Sequence, residues 1–520
     1  MNAGRAAPAT DASARRWTLA SAVLGSGMAF MDGTVVNVAL PAIQRRLGAS
    51  GADAQWVIEA YALFLAALLL VGGALGDRFG RKRVFLAGAA VFTLASAGCA
   101  AAHDIGQLVA ARAVQGIGAA LLVPGSLALL GANFPESERG RAIGTWSAFS
   151  GITAAVGPVV GGFLVDRFSW HWAFLLNLPI GVLLLAACAA RVPESRGDAA
   201  RAPVDLVGAC TATIGLAGIV FALIEAPAHR IGMASVAAAA LAGLAALAAF
   251  FAWEACAARP MMPLGMFRNR DFAGANLLTL LLYAALGGAL YFVPLDLIQV
   301  RGWSATRAGA ALLPFVVIMF ALSRFAGALV DRVGARLPLV LGPTVAAAGF
   351  ALFALTAADD DYWTSFLPAI AVLGLGMTLT IAPLTTTVMN ALGDAVAGTA
   401  SGINNAVSRA AGLLAIAAFG AVLAHVFEAR LPDALDLSTL PRDAAQHVLA
   451  RQRDLGAIVA PPGAGAAVAT QVHHVVAEVF VAGFRRVMWI AAALALASAG
   501  CAAWLISGAK PAPIRKAARP

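Results

Sequence analysis

Asp32 stands in the apolar run Met31-Asp32-Gly33-Thr34-Val35-Val36-Asn37-Val38-Ala39-Leu40-Pro41, nine residues before the proline. As a helix, that places it about 13 Å from the end of the run. The other acids among apolar residues fall close to the ends of their runs: Glu59, Glu225 and Asp296 at one set of ends, Asp205, Glu254 and Asp271 at the other. A carboxylate deep in hydrocarbon costs roughly 2.5–3.5 kcal/mol, so it must face a polar cavity or a partner. Burial disfavours the charged form of a carboxylate, the property a proton carrier needs. The expected partner is Arg112, eight residues past Asp104 and so at a similar depth, about 12 Å by helical rise. Arginine keeps its proton, so Arg112 would tune or gate while Asp32 carries. Gln115, Gly116 and Ala119 continue the Arg112 face and leave room for water or a second polar group. A permanent Asp32–Arg112 pair would be purely structural. Proton exchange needs a pair that forms in one conformation and breaks in another.

Weaker candidates surround this pair. Asn404, Asn405 and Arg409 share one apolar run, with Asn405 and Arg409 on one face at i, i+4. They either pack helices together or line a cavity. Glu59 is expected in the first turn of its helix, where the dipole favours an anion; the other reading is a vestibule for cationic substrates. Cys99, Cys188, Cys210, Cys256 and Cys501 are scattered without paired spacing, so neither disulfides nor a metal site is implied. The seven histidines are scattered too, and no phosphate-binding Gly-x-x-x-x-Gly-Lys-Ser/Thr occurs. No nucleophile or metal cluster points to an enzyme, and no cofactor is implied.

The elements that must hold these groups follow from composition. The 520 residues are 61% hydrophobic and 12% charged, against about 25% charged in soluble chains. Fourteen apolar stretches reach the roughly 20 residues a membrane helix needs. Net charge is +9, but the cations sit in short blocks between apolar runs, so nucleic acid is not the expected partner; the lipid bilayer is. With the N-terminus inside, short cytoplasmic segments hold 21 Lys and Arg, and short external loops only Arg45, Arg46, Arg167, Arg230, Arg301 and Arg307. Positive-inside topology therefore places both termini in the cytoplasm. The expected organisation is a tail at 1–16, a six-helix bundle at 17–190 and a linker with two additional helices at 191–260. A second six-helix bundle follows at 261–506, then a tail at 507–520. A long external loop is expected at 426–484, with helical pieces at its ends and no separate domain.

The two bundles are related. Gly73-Ala-Leu-Gly-Asp77-Arg78-Phe-Gly80-Arg81-Lys82 returns as Gly327-Ala-Leu-Val-Asp331-Arg332-Val-Gly334, each copy a basic turn between apolar runs. Apolar segments share Leu and Ala by chance, but not a Gly-x-x-x-Asp-Arg-x-Gly frame. Internal repeats of this kind are common in transporters.

The first copy resembles the loop 2–3 signature of the major facilitator superfamily. Fourteen spans and three further stretches resemble its fourteen-helix drug:proton antiporters of the EmrB/QacA type. The stretches are the Asp32 run, the Leu108-x-x-x-Arg112-x-x-Gln115-Gly116-x-Gly118 pattern, and Trp170-His171-Trp172-Ala173-Phe174-Leu175-Leu176-Asn177-Leu178-Pro179-Ile180-Gly181. His171 stands where that branch usually has arginine. The resemblance implies an all-α polytopic membrane protein: two six-helix halves plus two extra central helices in a bacterial inner membrane. It implies proton-coupled efflux of amphipathic or cationic drugs by alternating access, as in antibiotic resistance. Importers or exporters of one metabolite share the fold, and a non-transporting sensor remains the third reading. Fourteen-helix relatives sometimes work with a periplasmic adaptor and an outer-membrane channel; the sequence neither requires nor excludes them.

The resemblance also gives roles. Gly144, Gly157, Pro158, Gly161 and Gly162 match the antiporter motif of the fifth helix, with Thr153 where a glycine is expected. The family reading is a rigid, kinked helix that favours export; the alternative is ordinary tight packing through a small-x-x-x-small row. In the gating loop, Asp77 is expected to pair with a neighbouring helix when the protein faces outward, as a conformational latch. Otherwise Arg78, Arg81 and Lys82 simply hold the loop inside.

Overall fold

The computed structural model describes residues 12–196, 204–358, 360–393, 396–436, 438 and 440–507. Its helices are α1 (Ala12–Leu47), α2 (Gly51–Phe79), α3 (Arg81–Ala100), α4 (Ile105–Asn133), α5 (Glu136–Arg167), α6 (Trp172–Leu175), α7 (Asn177–Arg191), α8 (Leu206–Ala228), α9 (Met233–Cys256), α10 (Arg270–Leu295), α11 (Ala305–Ala310), α12 (Leu313–Val333), α13 (Arg336–Ala354), α14 (Leu367–Asn390), α15 (Ala397–Asp436), α16 (Arg442–Ala450) and α17 (Ala466–Leu505). No strand occurs among the described residues. Fourteen helices are long and apolar enough to cross a membrane, counting α6 with α7 and α11 with α12 as one crossing each. This is an all-α integral membrane protein.

With an even number of crossings, the start of α1 and the end of α17 share one face, here the tail face, with the α2–α3 junction. The other is the cap face. Close helix crossings set the first half. A Cβ on Gly116 of α4 would fall 2.4 Å from the Tyr61 carbonyl of α2, and one on Gly118 would fall 2.6 Å from the Phe92 nitrogen of α3. Any side chain there would push α2 or α3 away from α4, the helix that carries Arg112 and Gln115.

Hydropathy marks the ends of several helices too early. α1 continues through Pro41 to Leu47. α2 begins at Gly51, where Ser50 and Asp53 form a capping box. Glu59 is therefore two turns in, beyond the reach of the helix dipole, and the first-turn acid is Asp53.

The expected loop at 426–484 is largely helical. α15 runs on to Asp436 and α17 starts at Ala466, with α16 and a 3-10 turn, Gln452–Ala457, between them. Charged residues such as Glu428, Asp433 and Glu478 end a hydropathy window without ending a helix. This cap lies over the junction of the halves. Leu455, at φ 54°, rests on Gly51 of α2, and Gly456 lies against Gln299 and Phe480. The additional hairpin α8–α9 is tied to α2 on the same face, where Arg230 pairs with Asp53 at 2.5 Å and Glu225 at 2.7 Å. The Trp56 indole also donates to Glu225, at 2.9 Å.

The two halves are joined polarly on one side. Gln55 donates to the Ile416 carbonyl at 3.1 Å, and Gln299 to Gln44 at 2.8 Å. Asp166 at the end of α5 accepts from the backbone of Ala305 and Thr306 and from the Thr306 hydroxyl. All of these lie toward the cap face. Among the described residues, no hydrogen bond or ion pair joins the halves at the tail face.

Candidate functional site

Asp32 and Arg112 meet. The guanidinium Nη1 lies 2.5 Å from Asp32 Oδ2, and both side chains are fully removed from solvent. Arg112 is oriented by further contacts: Nε donates to the Val57 carbonyl of α2 at 2.9 Å, Nη1 to Gln115 Oε1 at 2.7 Å, and the charge lies 4.3 Å from the centre of the Tyr61 ring. The second oxygen of Asp32 is equally occupied. Oδ1 accepts from Gln115 Nε2 at 2.8 Å and from Asn177 Nδ2 at 2.9 Å, while Gln115 also donates to Ser96. Five helices, α1, α2, α3, α4 and α7, thus converge on one carboxylate. Two amide donors and a cation compensate its desolvation, as a buried charge requires.

The small-residue row of α5 supports this arrangement from outside. A Cβ on Gly157 would meet Thr34 Oγ1 at 2.4 Å, and one on Gly161 would meet Val35 at 2.5 Å. Thr153 packs on Gly27 of the same helix, so the departure from glycine is accommodated by glycine across the interface. The row therefore fits against the stretch of α1 that holds Asp32. The opposite side of α5 faces the second half: Gly162 lies against the Ala305 backbone, and Gly309 of α11 against the Pro158 carbonyl. Gly144 stands apart, with nothing within 4 Å of where its Cβ would be.

The other expected cavity residues divide. Glu59 is fully buried, and no protein donor reaches either carboxylate oxygen. Arg409 of α15 reaches across the junction to Phe30 of α1, 5.5 Å from the ring centre, beside the Asp32 cluster. Asn404 does not join them. It donates to Asn276 and Thr279 of α10, at 3.2 and 2.7 Å, and so fastens two helices of the second half. Asn405 is exposed and donates to the Ser401 carbonyl of its own helix.

The profile of the Major Facilitator Superfamily matches residues 22–416. The chain belongs to that superfamily. Multidrug resistance protein Stp of Mycobacterium tuberculosis is 36% identical over 83% of this chain and 80% of its own length. The tetracenomycin C resistance and export protein of Streptomyces glaucescens is 32% identical over 95% and 92%. In fold, the chain resembles the crystal structure of a bacterial homologue of the human lysosomal transporter Spinster. The TM-score is 0.66 at 14% identity, covering 95% of this chain and 97% of the other.

In this superfamily member the α2–α3 turn is held within its own half. Arg81 Nε donates to Asp77 Oδ1 at 2.8 Å, and Arg78 lies over Phe79. The two repeat copies share their turn: Gly80 and Gly334 both take positive φ, 117° and 80°. The Arg332 side chain is exposed, and that of Asp331 lies outside the described ones.

Two residues escaped the sequence reading. Asn177 donates to Asp32, although a neutral amide in an apolar run carries no charge signal. Glu194, past the end of α7, accepts from the backbone N–H groups of Lys82 and Arg83, at 2.9 and 3.2 Å, at the start of α3. Its carboxylate lies about where a Cβ on Gly80 would have to be. A carboxylate at a helix N-terminus complements the free N–H groups and the dipole. The signal available in the sequence was an acid just after a crossing whose partner helix begins with an uncapped Gly80-Arg81.

Proposed function

We propose that this superfamily member exports amphipathic or cationic small molecules in exchange for protons, by alternating access, with Asp32 as the proton site. The export reading is carried by likeness, over 92% of its length, to the tetracenomycin C resistance and export protein. Stp, a multidrug resistance protein, supports a broad substrate range. The protein resides in a bacterial inner membrane with the tail face in the cytoplasm, as the excess of Lys and Arg in that face's loops supports. The halves 17–190 and 261–506 rock about the junction, and the 191–260 linker carries the additional hairpin.

The geometry suits coupling. Asp32 is held by Arg112, Gln115 and Asn177 while the cap side is tied shut. A shift of α1 against α4 would break the pair and free Asp32 to take a proton from outside. Arg409, which reaches Phe30 from α15, supplies the second half's charge next to that motion. Asp77 pairs with Arg81 in its own loop, the arrangement of a latch not engaged with the other half. The cavity between the halves takes the substrate from the cytoplasm or inner leaflet, with Glu59 at its cap end. One proton crossing about 100 mV yields about 2.3 kcal/mol, and one pH unit adds about 1.4 kcal/mol.

Substrate-induced proton release in proteoliposomes tests this, wild type against Asp32→Asn, with lipophilic cations and neutral drugs. Release from wild type and none from the variant is expected. Equal release from both would move the proton site elsewhere; no response to any compound would overturn drug export.

A further inference from the structure

A second carboxylate pair lies far from Asp32, on the tail face, where α8 begins and α9 ends. Asp205 caps α8: its Oδ1 accepts from the Gly208 backbone at 2.8 Å and from the Trp253 indole at 2.8 Å. Glu254 is 2% exposed, and its Oε2 accepts from the Met262 backbone at 2.9 Å. Each carboxylate thus spends one oxygen on N–H donors. The other two, Asp205 Oδ2 and Glu254 Oε1, are buried without a hydrogen-bond partner. Both lie 2.7 Å from the point a Cβ on Gly208 would occupy, so they face each other across a glycine that leaves them room. Among the described residues, no Lys, Arg or His forms an ion pair with Asp205 or Glu254.

Two carboxylates whose facing oxygens are shut off from solvent resist being ionised together without a cation or a proton between them. A metal ion fits poorly. Calcium takes six or more oxygens and magnesium a full octahedron, whereas only two carboxylate oxygens are free here and the other two are spent on N–H donors. One proton needs nothing more than the two facing lone pairs.

We propose that Asp205 and Glu254 bind one proton between Oδ2 and Oε1, closing a pH-sensitive clasp at the mouth of the α8–α9 hairpin, independent of the central cluster. Bound, the proton makes one carboxyl the donor and the other the acceptor. Lost to water at the tail face, it leaves two like charges that push α9's end and the Met262 N–H away from α8. The clasp is closed at low pH and opens as pH rises. The pair acts as one titrating unit, not as two independent acids.

Hydrogen–deuterium exchange of the peptide around 257–266 tests this on the full chain in nanodiscs, corrected for the intrinsic pH dependence of exchange. Wild-type protection should fall at least about tenfold between about pH 6 and about pH 10, as the shared proton leaves. Glu254→Gln, whose amide keeps a hydrogen between the groups, should hold protection level across that range. Asp205→Asn should do the same and serves if the first variant misfolds. Equal pH dependence in wild type and both variants would overturn the proposal. So would protection at fixed pH that rises with added sodium or calcium, which would make the pair a cation site.

Discussion

Asp32 and Glu59 are both lost from solvent, in neighbouring helices of the same half, yet one is surrounded by donors and the other has none. Two helices besides its own, α4 and α7, lend Asp32 its partners. Glu59 faces α10 of the other half, near Tyr291, where no protein group donates to it. The difference teaches that burial alone does not assign a role. A carboxylate saturated with donors is compensated where it stands. A carboxylate without protein partners has none of that compensation.

Breaking the Asp32 pair should give the largest effect. Arg112→Gln removes the cation and leaves a buried charge short of compensation, an expected loss of about 3–5 kcal/mol. Thermal unfolding in detergent would show it. Combining Arg112→Gln with Asp32→Asn removes both charges and should recover part of that loss. If the single variant unfolds within a degree or two of wild type, the pair contributes little to the fold.

Asn177→Ala comes next. It deletes one of three side-chain donors to Asp32 and leaves Arg112 in place, so about 1–3 kcal/mol is expected. The same substitution should alter proton release more than a packing change would, because it bears directly on Asp32 Oδ1. Asn177→Ser, which keeps a donor, should recover part of that release. Identical release from wild type and Asn177→Ala would reduce this residue to a packing contact.

How much of this was legible in the sequence depended on which signal each feature leaves. Asp32 and Arg112 were found because a charge in an apolar run is conspicuous and helical rise gives depth. Gln115 followed from sharing the face of Arg112. Asn177 was missed because amides break no hydropathy window and its partner is 145 positions away. Glu59 was misplaced by one turn because the helix start was read from hydropathy, whereas the Ser50–Asp53 capping box sets it earlier. The cap was read as a loop for the converse reason: charged residues on an amphipathic helix look like solvated coil to a hydropathy scan. The small-residue row of α5 was legible as a row, but whether it met α1 or another helix is a matter of tertiary contact that spacing does not encode.

The smallest effect sharpens the contrast most. Glu59→Met keeps the length and removes the carboxyl, and no protein donor is left unpaired by the change. Replacing a partnerless buried polar group with an apolar one of similar shape is nearly neutral or stabilising, so a shift within about 1 kcal/mol is expected. Asp32→Leu, by contrast, strands Arg112, Gln115 and Asn177 together and should destabilise severely. The pair of measurements is decisive because both substitutions remove a fully buried carboxylate from the same half. If Glu59→Met destabilises as much as Asp32→Leu, a partner holds Glu59 in the folded state and the two sites are alike. If only the Asp32 variant suffers, stability is invested in one carboxylate, and the other is free to change its protonation without disturbing the fold.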